Sequence, residues 1–168
     1  MTKKTLFLSL ILSISSSLAP AGRPAHIFPG ETRWREIAER EALIQGIDRE
    51  VFLGLIAQES GWDAAATSRS GAIGLGQLLP RTALWACPDI IFSKTPDGVL
   101  EIYNPEKNLK CSARYYRQQL DAFHGAHVYA LFAYNAGPGA TTRSFPYSPK
   151  PDTTAYAVAV FRYAARYL

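Results

Sequence analysis

Apolar residues recur at helical spacing along most of the chain, and no pair of strictly alternating segments marks a β-hairpin. Trp34, Ile37, Ala38 and Ile44 predict a first helix, with Gly46 as its stop. Asp48 is placed to cap a second helix running through Val51, Phe52, Leu55 and Ile56 to Glu59, ended by Gly61. After a loop of small residues, Pro80 opens a short helix through Trp85. Asn104-Pro105 has the form of an N-cap followed by proline at the first helical position, and Leu109, Ala113, Tyr116, Leu120 and Phe123 continue it as a stripe up to Gly125. Further helices are expected from Val128 to Asn135 and from Thr153 to Tyr167. The fold class is therefore mainly α, with at most a short β ribbon, for which the place is the loop CPDIIFSKTPDGVLEIY between Trp85 and Asn104.

The first 21 residues depart from this pattern. MTKK is basic, TLFLSLILSISSSLA is apolar and Ser-rich, and Ala19-Pro20-Ala21 offers small residues for cleavage. The apolar run, about 14 residues, falls short of the roughly 20 that span a bilayer, so residues 1–21 read as a cleaved export signal and not as a membrane anchor. Residues 22–168 then form one domain, with no stable membrane span in the mature form. A chain of 168 residues, 48% hydrophobic and 19% charged, has the composition of a single globular domain able to bury a core. The full chain carries a net charge of +4; losing residues 1–21 removes Lys3 and Lys4 and no acid, leaving 16 basic against 14 acidic side chains, or +2. The basic residues are scattered, so the charge carries no nucleic-acid signature.

Cys87 and Cys111 are the only cysteines. In an exported chain an even pair reads as a disulfide, and closing a loop of about 25 residues stabilises the fold by about 3.5 kcal/mol in the chain-entropy picture. His124 and His127 have no cysteine or carboxylate at ligand spacing, so no metal is expected.

The second helix raises a chemical question. Residues three, four and seven before Glu59 are Ile56, Leu55 and Phe52, so this carboxylate shares their apolar face. Desolvation there and the negative end of the helix dipole both raise its pKa. A carboxyl group protonated near neutral pH is what protonation of a glycosidic leaving oxygen requires. A lone glutamate at a helix end is, however, more often an ordinary surface residue. Two other segments bear on the choice. The run Ser68-Arg69-Ser70-Gly71-Ala72-Ile73-Gly74-Leu75-Gly76-Gln77 allows close approach of backbone to a ligand, with Gln77 as an amide able to read hydroxyl and acetamido groups. Ala133-Tyr134-Asn135-Ala136-Gly137 sets an aromatic ring and an amide together at a helix end.

In this order and spacing the segments resemble the Slt-type (family 1) lytic transglycosylases of the lysozyme-like superfamily. The matching residues are Glu59-Ser60; Ser68, Gly71-Ala72 and Gly74-Leu75-Gly76-Gln77 with Pro80 and Thr82-Ala83; Asn104-Pro105 and Asn108; Ala133-Tyr134-Asn135-Ala136-Gly137; and Tyr156 preceded by Asp152-Thr153. The resemblance covers roughly Arg33 to Tyr163. It implies an α-rich lysozyme-like domain with a cleft for peptidoglycan glycan strands, no cofactor, and Glu59 as single acid/base. Ser60, Gly76, Gln77, Tyr134, Asn135 and Tyr156 are implied substrate-binding residues. The implied reaction cleaves the MurNAc-GlcNAc β-1,4 bond and closes a 1,6-anhydro ring on the muramoyl unit, in the periplasm. Three positions depart from the family pattern. Gly76 stands where Met is usual, implying a wider cleft or less apolar contact with the sugar; Asp152 stands for Glu; and Ser112 replaces a common Gly. Compact members of this kind open the wall for a secretion or conjugation apparatus, whose components are candidate partners. Two alternatives stay open: a goose-type lysozyme-like hydrolase, which needs a second carboxylate, and a non-catalytic peptidoglycan-binding component of an envelope machine.

Overall fold

A computed structural model describes residues 28–90, 101–137 and 151–168. Residues 1–21 and the middle of the loop between Trp85 and Asn104, where a ribbon was expected, lie outside these. Six α-helices occur among the described residues: α1 Glu31–Gln45, α2 Arg49–Ser60, α3 Pro80–Ala86, α4 Pro105–Ala122, α5 His127–Ala136 and α6 Pro151–Ala164. Two 3-10 turns, Glu101–Tyr103 and Ala165–Tyr167, accompany them. Extended pairing among the described residues is limited to isolated bridges from Ile73 to Thr67 and to Leu78. They fold the small-residue segment back on itself. No helix among the described residues is long and apolar enough to cross a membrane.

α2 is the central element. Val51 to Ala57 are all buried, so the middle of this helix has no solvent face, as expected of a helix that is apolar all round. It packs most extensively against α6, while α4 lies against both α1 and α5. The α2–α6 crossing depends on Gly54. A Cβ there would lie 2.5 Å from the Val160 carbonyl oxygen and 2.7 Å from the Ala164 amide nitrogen, so only a glycine lets the two backbones come this close. A mid-helix glycine costs about 0.5–1 kcal/mol in propensity, which the tighter burial of α6 offsets.

Several local signals behave as the sequence predicts. Gly46 and Gly61 end α1 and α2 in the left-handed conformation, at φ 60° and 58°. Asn104 caps α4 by accepting the Lys107 amide at 3.0 Å, with Pro105 behind it. The expected stripe on α4 is buried throughout. One expectation requires correction. Asp48 occupies the N-cap position of α2 but its side chain makes no capping bond, because the carboxylate is turned to His127. Ile44, part of the spacing that predicts α1, lies in that helix but is 61% exposed. α1 instead turns Ala38 and Ala42 inward, where small side chains allow close packing.

Cys87 follows α3 and is disulfide-bonded to Cys111 on α4, so the short helix is fastened to the long one.

Candidate active site

Glu59 is the penultimate residue of α2, and its carboxylate accepts a hydrogen bond from the Tyr156 hydroxyl on α6. Both residues belong to the interface closed by Gly54. Burial disfavours the charged form of Glu59 and pushes its pKa from 4.5 to about 7, the Tyr156 bond acting weakly in the opposite direction. Burial and the nearby Glu59 charge push the Tyr156 hydroxyl well above its ordinary range. Tyr156 is thus fixed as a donor, while Glu59 exchanges its proton near neutrality.

The segment after α2 builds the floor. Ser60 Oγ donates to the Leu75 carbonyl at 2.9 Å, joining the end of the helix to the glycine-containing turn. Asn108, fully buried on α4, accepts from the Gly76 amide at 2.8 Å and donates to the carbonyls of Ile73 and Ile102 at 2.9 and 3.1 Å. Tyr134 donates its hydroxyl to the Gly76 carbonyl at 2.9 Å. The Gly76 residue is therefore held from both sides, by α4 and by α5. Gln77 follows at φ 47°, an uncommon backbone conformation for a non-glycine residue. Its side-chain amide donates to the carbonyls of Ala66 and Gly74 at 3.1 and 3.0 Å, leaving the carbonyl end as its free polar group.

A cavity of about 600 Å³ opens above this floor. Of the residues singled out in the sequence, Glu59, Gln77, Tyr134 and Asn135 line it. Ser60, Gly76 and Tyr156 stand behind the lining, where they hold Leu75, Tyr134 and Glu59 through the bonds above. Among the described residues Glu59 is the one carboxylate on the cavity wall. Asp63 is exposed and accepts the Ala65 amide at 2.9 Å within its own turn.

Two of the three departures from the family pattern touch each other. A Cβ on Gly76 would lie 1.9 Å from Ser112 Oγ and 2.6 Å from Ser112 Cβ. Gly76 therefore opens no extra room in the cleft, contrary to the expectation from the sequence: Ser112 already fills the space. Asp152, the third, is exposed in the first turn of α6, where a carboxylate of either length favours the helix dipole.

Asn108 belongs to the family-matching residues but has no role assigned from the sequence. A polar residue beside Leu109 on the buried side of a helix was the available signal, since such a group must find partners. A contact among α2, α4 and α5 has no signal in the sequence. Asp48 lies 2.7 Å from His127 Nε2, and the Tyr116 hydroxyl lies 2.8 Å from His127 Nδ1. The carboxylate can only accept, so Nε2 carries the proton toward it, while Nδ1 and the hydroxyl of the buried Tyr116 are hydrogen-bond partners. No group of three His, Cys, Asp or Glu side chains able to hold a metal ion occurs among the described residues.

An α-rich domain built on a central buried helix, with one raised carboxyl group at that helix's end facing a cleft, belongs to the lysozyme-like class. More closely, the chain belongs to the Transglycosylase SLT domain family, whose model matches residues 36–157. It is 28% identical over 153 residues to membrane-bound lytic murein transglycosylase C of Edwardsiella ictaluri, covering 85% of this chain and 41% of that protein. To endo-type membrane-bound lytic murein transglycosylase A of Klebsiella pneumoniae it is 35% identical over 83 residues, covering 49% of this chain and 41% of the relative. An inactive variant of the lytic transglycosylase Slt from Pseudomonas aeruginosa superposes with a TM-score of 0.72 at 27% identity, over 98% of this chain and 28% of that one. The chain thus spans less than half the length of the relatives it matches.

Proposed function

We infer that the protein is a peptidoglycan lytic transglycosylase that cleaves the MurNAc-GlcNAc β-1,4 bond and leaves 1,6-anhydromuramic acid ends. The observation that carries this reading is Glu59: one carboxylate on the cavity wall among the described residues, with a pKa near 7. At that pKa the group donates a proton to the leaving glycosidic oxygen at neutral pH. The carboxylate so formed takes the proton of the muramoyl 6-hydroxyl, which closes the anhydro ring without water. One residue in one place serves both steps. A two-carboxylate hydrolysis calls for a partner at about 5–9.5 Å across the sugar, and no second acid lines the cavity among the described residues. The relatives named above are lytic murein transglycosylases, which supports the same substrate.

The substrate contacts in this reading are Gln77, Tyr134 and Asn135 on the cavity wall, with Tyr156 orienting Glu59 and with Ser60 and Gly76 shaping the floor. Residues 22–168 make up the catalytic domain. The basic and apolar character of residues 1–21, together with a disulfide, supports export to an oxidising compartment, the periplasm.

The test is a mass spectrum of muropeptides released from purified sacculi. Products lighter by one water than hydrolysis products are expected. Glu59→Gln keeps shape but removes the transferable proton, so its turnover should drop by about 100-fold or more while glycan binding persists. Reducing ends from the wild type would indicate a hydrolase, and binding with no product a scaffold.

A further inference from the structure

Tyr116 is fully buried on α4 and touches α5 at two places. Its hydroxyl lies 2.8 Å from His127 Nδ1, and its ring meets the Tyr134 ring edge-on, centroids 6.2 Å apart. His127 and Tyr134 stand seven residues apart on α5 and therefore on one face of that helix. α5 has only ten residues, too few for a helix to hold by itself, and no side chain caps its N-terminus at Ala126. Its place depends on lateral contacts. The first turn of α5 carries no acid, and the negative charge there comes from α2, where Asp48 reaches His127 Nε2 at 2.7 Å. This pair turns Nδ1 of the imidazole toward Tyr116. At the other end of α5, Tyr134 and Asn135 line the Glu59 cavity, and Tyr134 donates to the Gly76 carbonyl.

We propose that Tyr116 is a positioning residue: held by the Asp48–His127 pair, it fixes α5 against α4 and so sets where Tyr134 and Asn135 stand on the cavity wall. The inference rests on the transglycosylase reading and deepens it, by naming what aims two of the residues given to the substrate there. A phenol hydroxyl in the core costs free energy unless it is bonded, and phenylalanine would fill the same space without that demand. The Tyr116 hydroxyl makes no other hydrogen bond among the described residues, so its use is the bond to His127. One rigid side chain then joins the two ends of α5, its hydroxyl at His127 and its ring edge at Tyr134. Asp48 also ties this brace to α2, the helix that carries Glu59. The acid/base and the two wall residues are thus referred to one cluster, about 16 Å from Glu59 along the axis of α2.

The experiment uses the whole protein with Tyr116→Phe, which keeps the ring and removes the hydroxyl, and with His127→Leu, which removes its partner. Native-state hydrogen exchange is read amide by amide. In both variants the last turn of α5, up to Ala136, should exchange about ten-fold faster while the amides in the middle of α2 keep their wild-type rates. His127→Asn, which leaves a polar atom near the place of Nδ1, should restore most of the protection. No change in α5, or an equal acceleration in every helix, would overturn the proposal. Turnover of purified sacculi gives the second readout. Tyr116→Phe should lower kcat/KM about ten-fold, and much less when Tyr134→Phe and Asn135→Ala are already present, since it acts through them. An equal fall in both backgrounds, or no fall in a protein that turns over, would again overturn it. If the wild type forms no anhydro product while exchange at the end of α5 still depends on the Tyr116 hydroxyl, the transglycosylase reading fails and the brace stands.

Discussion

Gly76 and Ser112 share the space of one side chain: a Cβ on the first would sit 1.9 Å from the hydroxyl oxygen of the second. The resemblance presents a missing Met and an added Ser as two separate departures, whereas in three dimensions they form one exchange. Gly76→Met alone should destabilise the protein by about 1–3 kcal/mol through overpacking. With Ser112→Gly added, much of that loss should return. Chemical denaturation of both single variants and the double variant measures the coupling. Simple additivity would mean that the side chain at 76 finds another way out of the floor.

Burial of Glu59 sets the pH range expected of the proposed reaction, and its bond to Tyr156 adjusts that range. The proposed first step needs a protonated Glu59, so kcat/KM should fall as pH rises through about 7. Tyr156 favours the carboxylate, and Tyr156→Phe removes that influence, so the pKa of Glu59 should rise and the falling limb should move to higher pH. A pH–rate profile of the two proteins checks the direction. Movement to lower pH would contradict the role given to Tyr156.

The raised pKa also fixes the sign of a stability effect. The folded protein holds the Glu59 proton up to about pH 7, whereas the unfolded chain releases it near 4.5. Between these values the native state binds more protons, so stability falls with rising pH and then levels off above about 7. Glu59→Gln lacks this loss. The difference in melting temperature, variant minus wild type, should grow from about pH 4.5 to 7 and then stay constant.

Asn108 holds the floor through three buried backbone partners, on Gly76, Ile73 and Ile102. Asn108→Ala strands all three, at roughly 1–3 kcal/mol for each unsatisfied group, so a loss of at least about 3 kcal/mol is expected in urea denaturation. A loss under about 1 kcal/mol would show that water or a shift of the loop replaces the side chain.

Gly54→Ala should separate α2 from α6, because the added carbon meets backbone atoms that cannot step aside. A destabilisation of about 1–3 kcal/mol is expected, with turnover reduced further than stability alone explains, since Tyr156 and Glu59 face each other across the same interface. Circular dichroism and turnover, measured together well below the melting temperature, separate the two effects.

How much of this was legible beforehand depended on distance along the chain. Glycine stops at Gly46 and Gly61, the Asn104 cap and the buried stripe of α4 are local chemistry, and they fold as their neighbours dictate. The desolvated setting of Glu59 was readable for the same reason: Ile56, Leu55 and Phe52 lie within two turns of it. Asp48 was misread because capping is the strongest local use of an aspartate, while its partner His127 belongs to another helix. The exposure of Ile44 was not legible, because helical spacing reports which residues share a face and not how wide the buried part of that face is. The meeting of Gly76 with Ser112, and of Tyr116 with His127 and Tyr134, depends on how α4 approaches its neighbours, which no periodicity in any of these segments encodes.

Cys87 and Cys111 are both fully buried within the core, so their bond has no surface from which a thiol or an oxidant can reach it in the finished fold. Exchange requires a thiolate to approach a sulfur directly, and here the packed side chains stand in its way. The bond must therefore be made while the chain is still open. Oxidation becomes an event of the protein's birth, completed before its core closes, and a molecule that closes that core with the two thiols unjoined carries that history for as long as it stays folded.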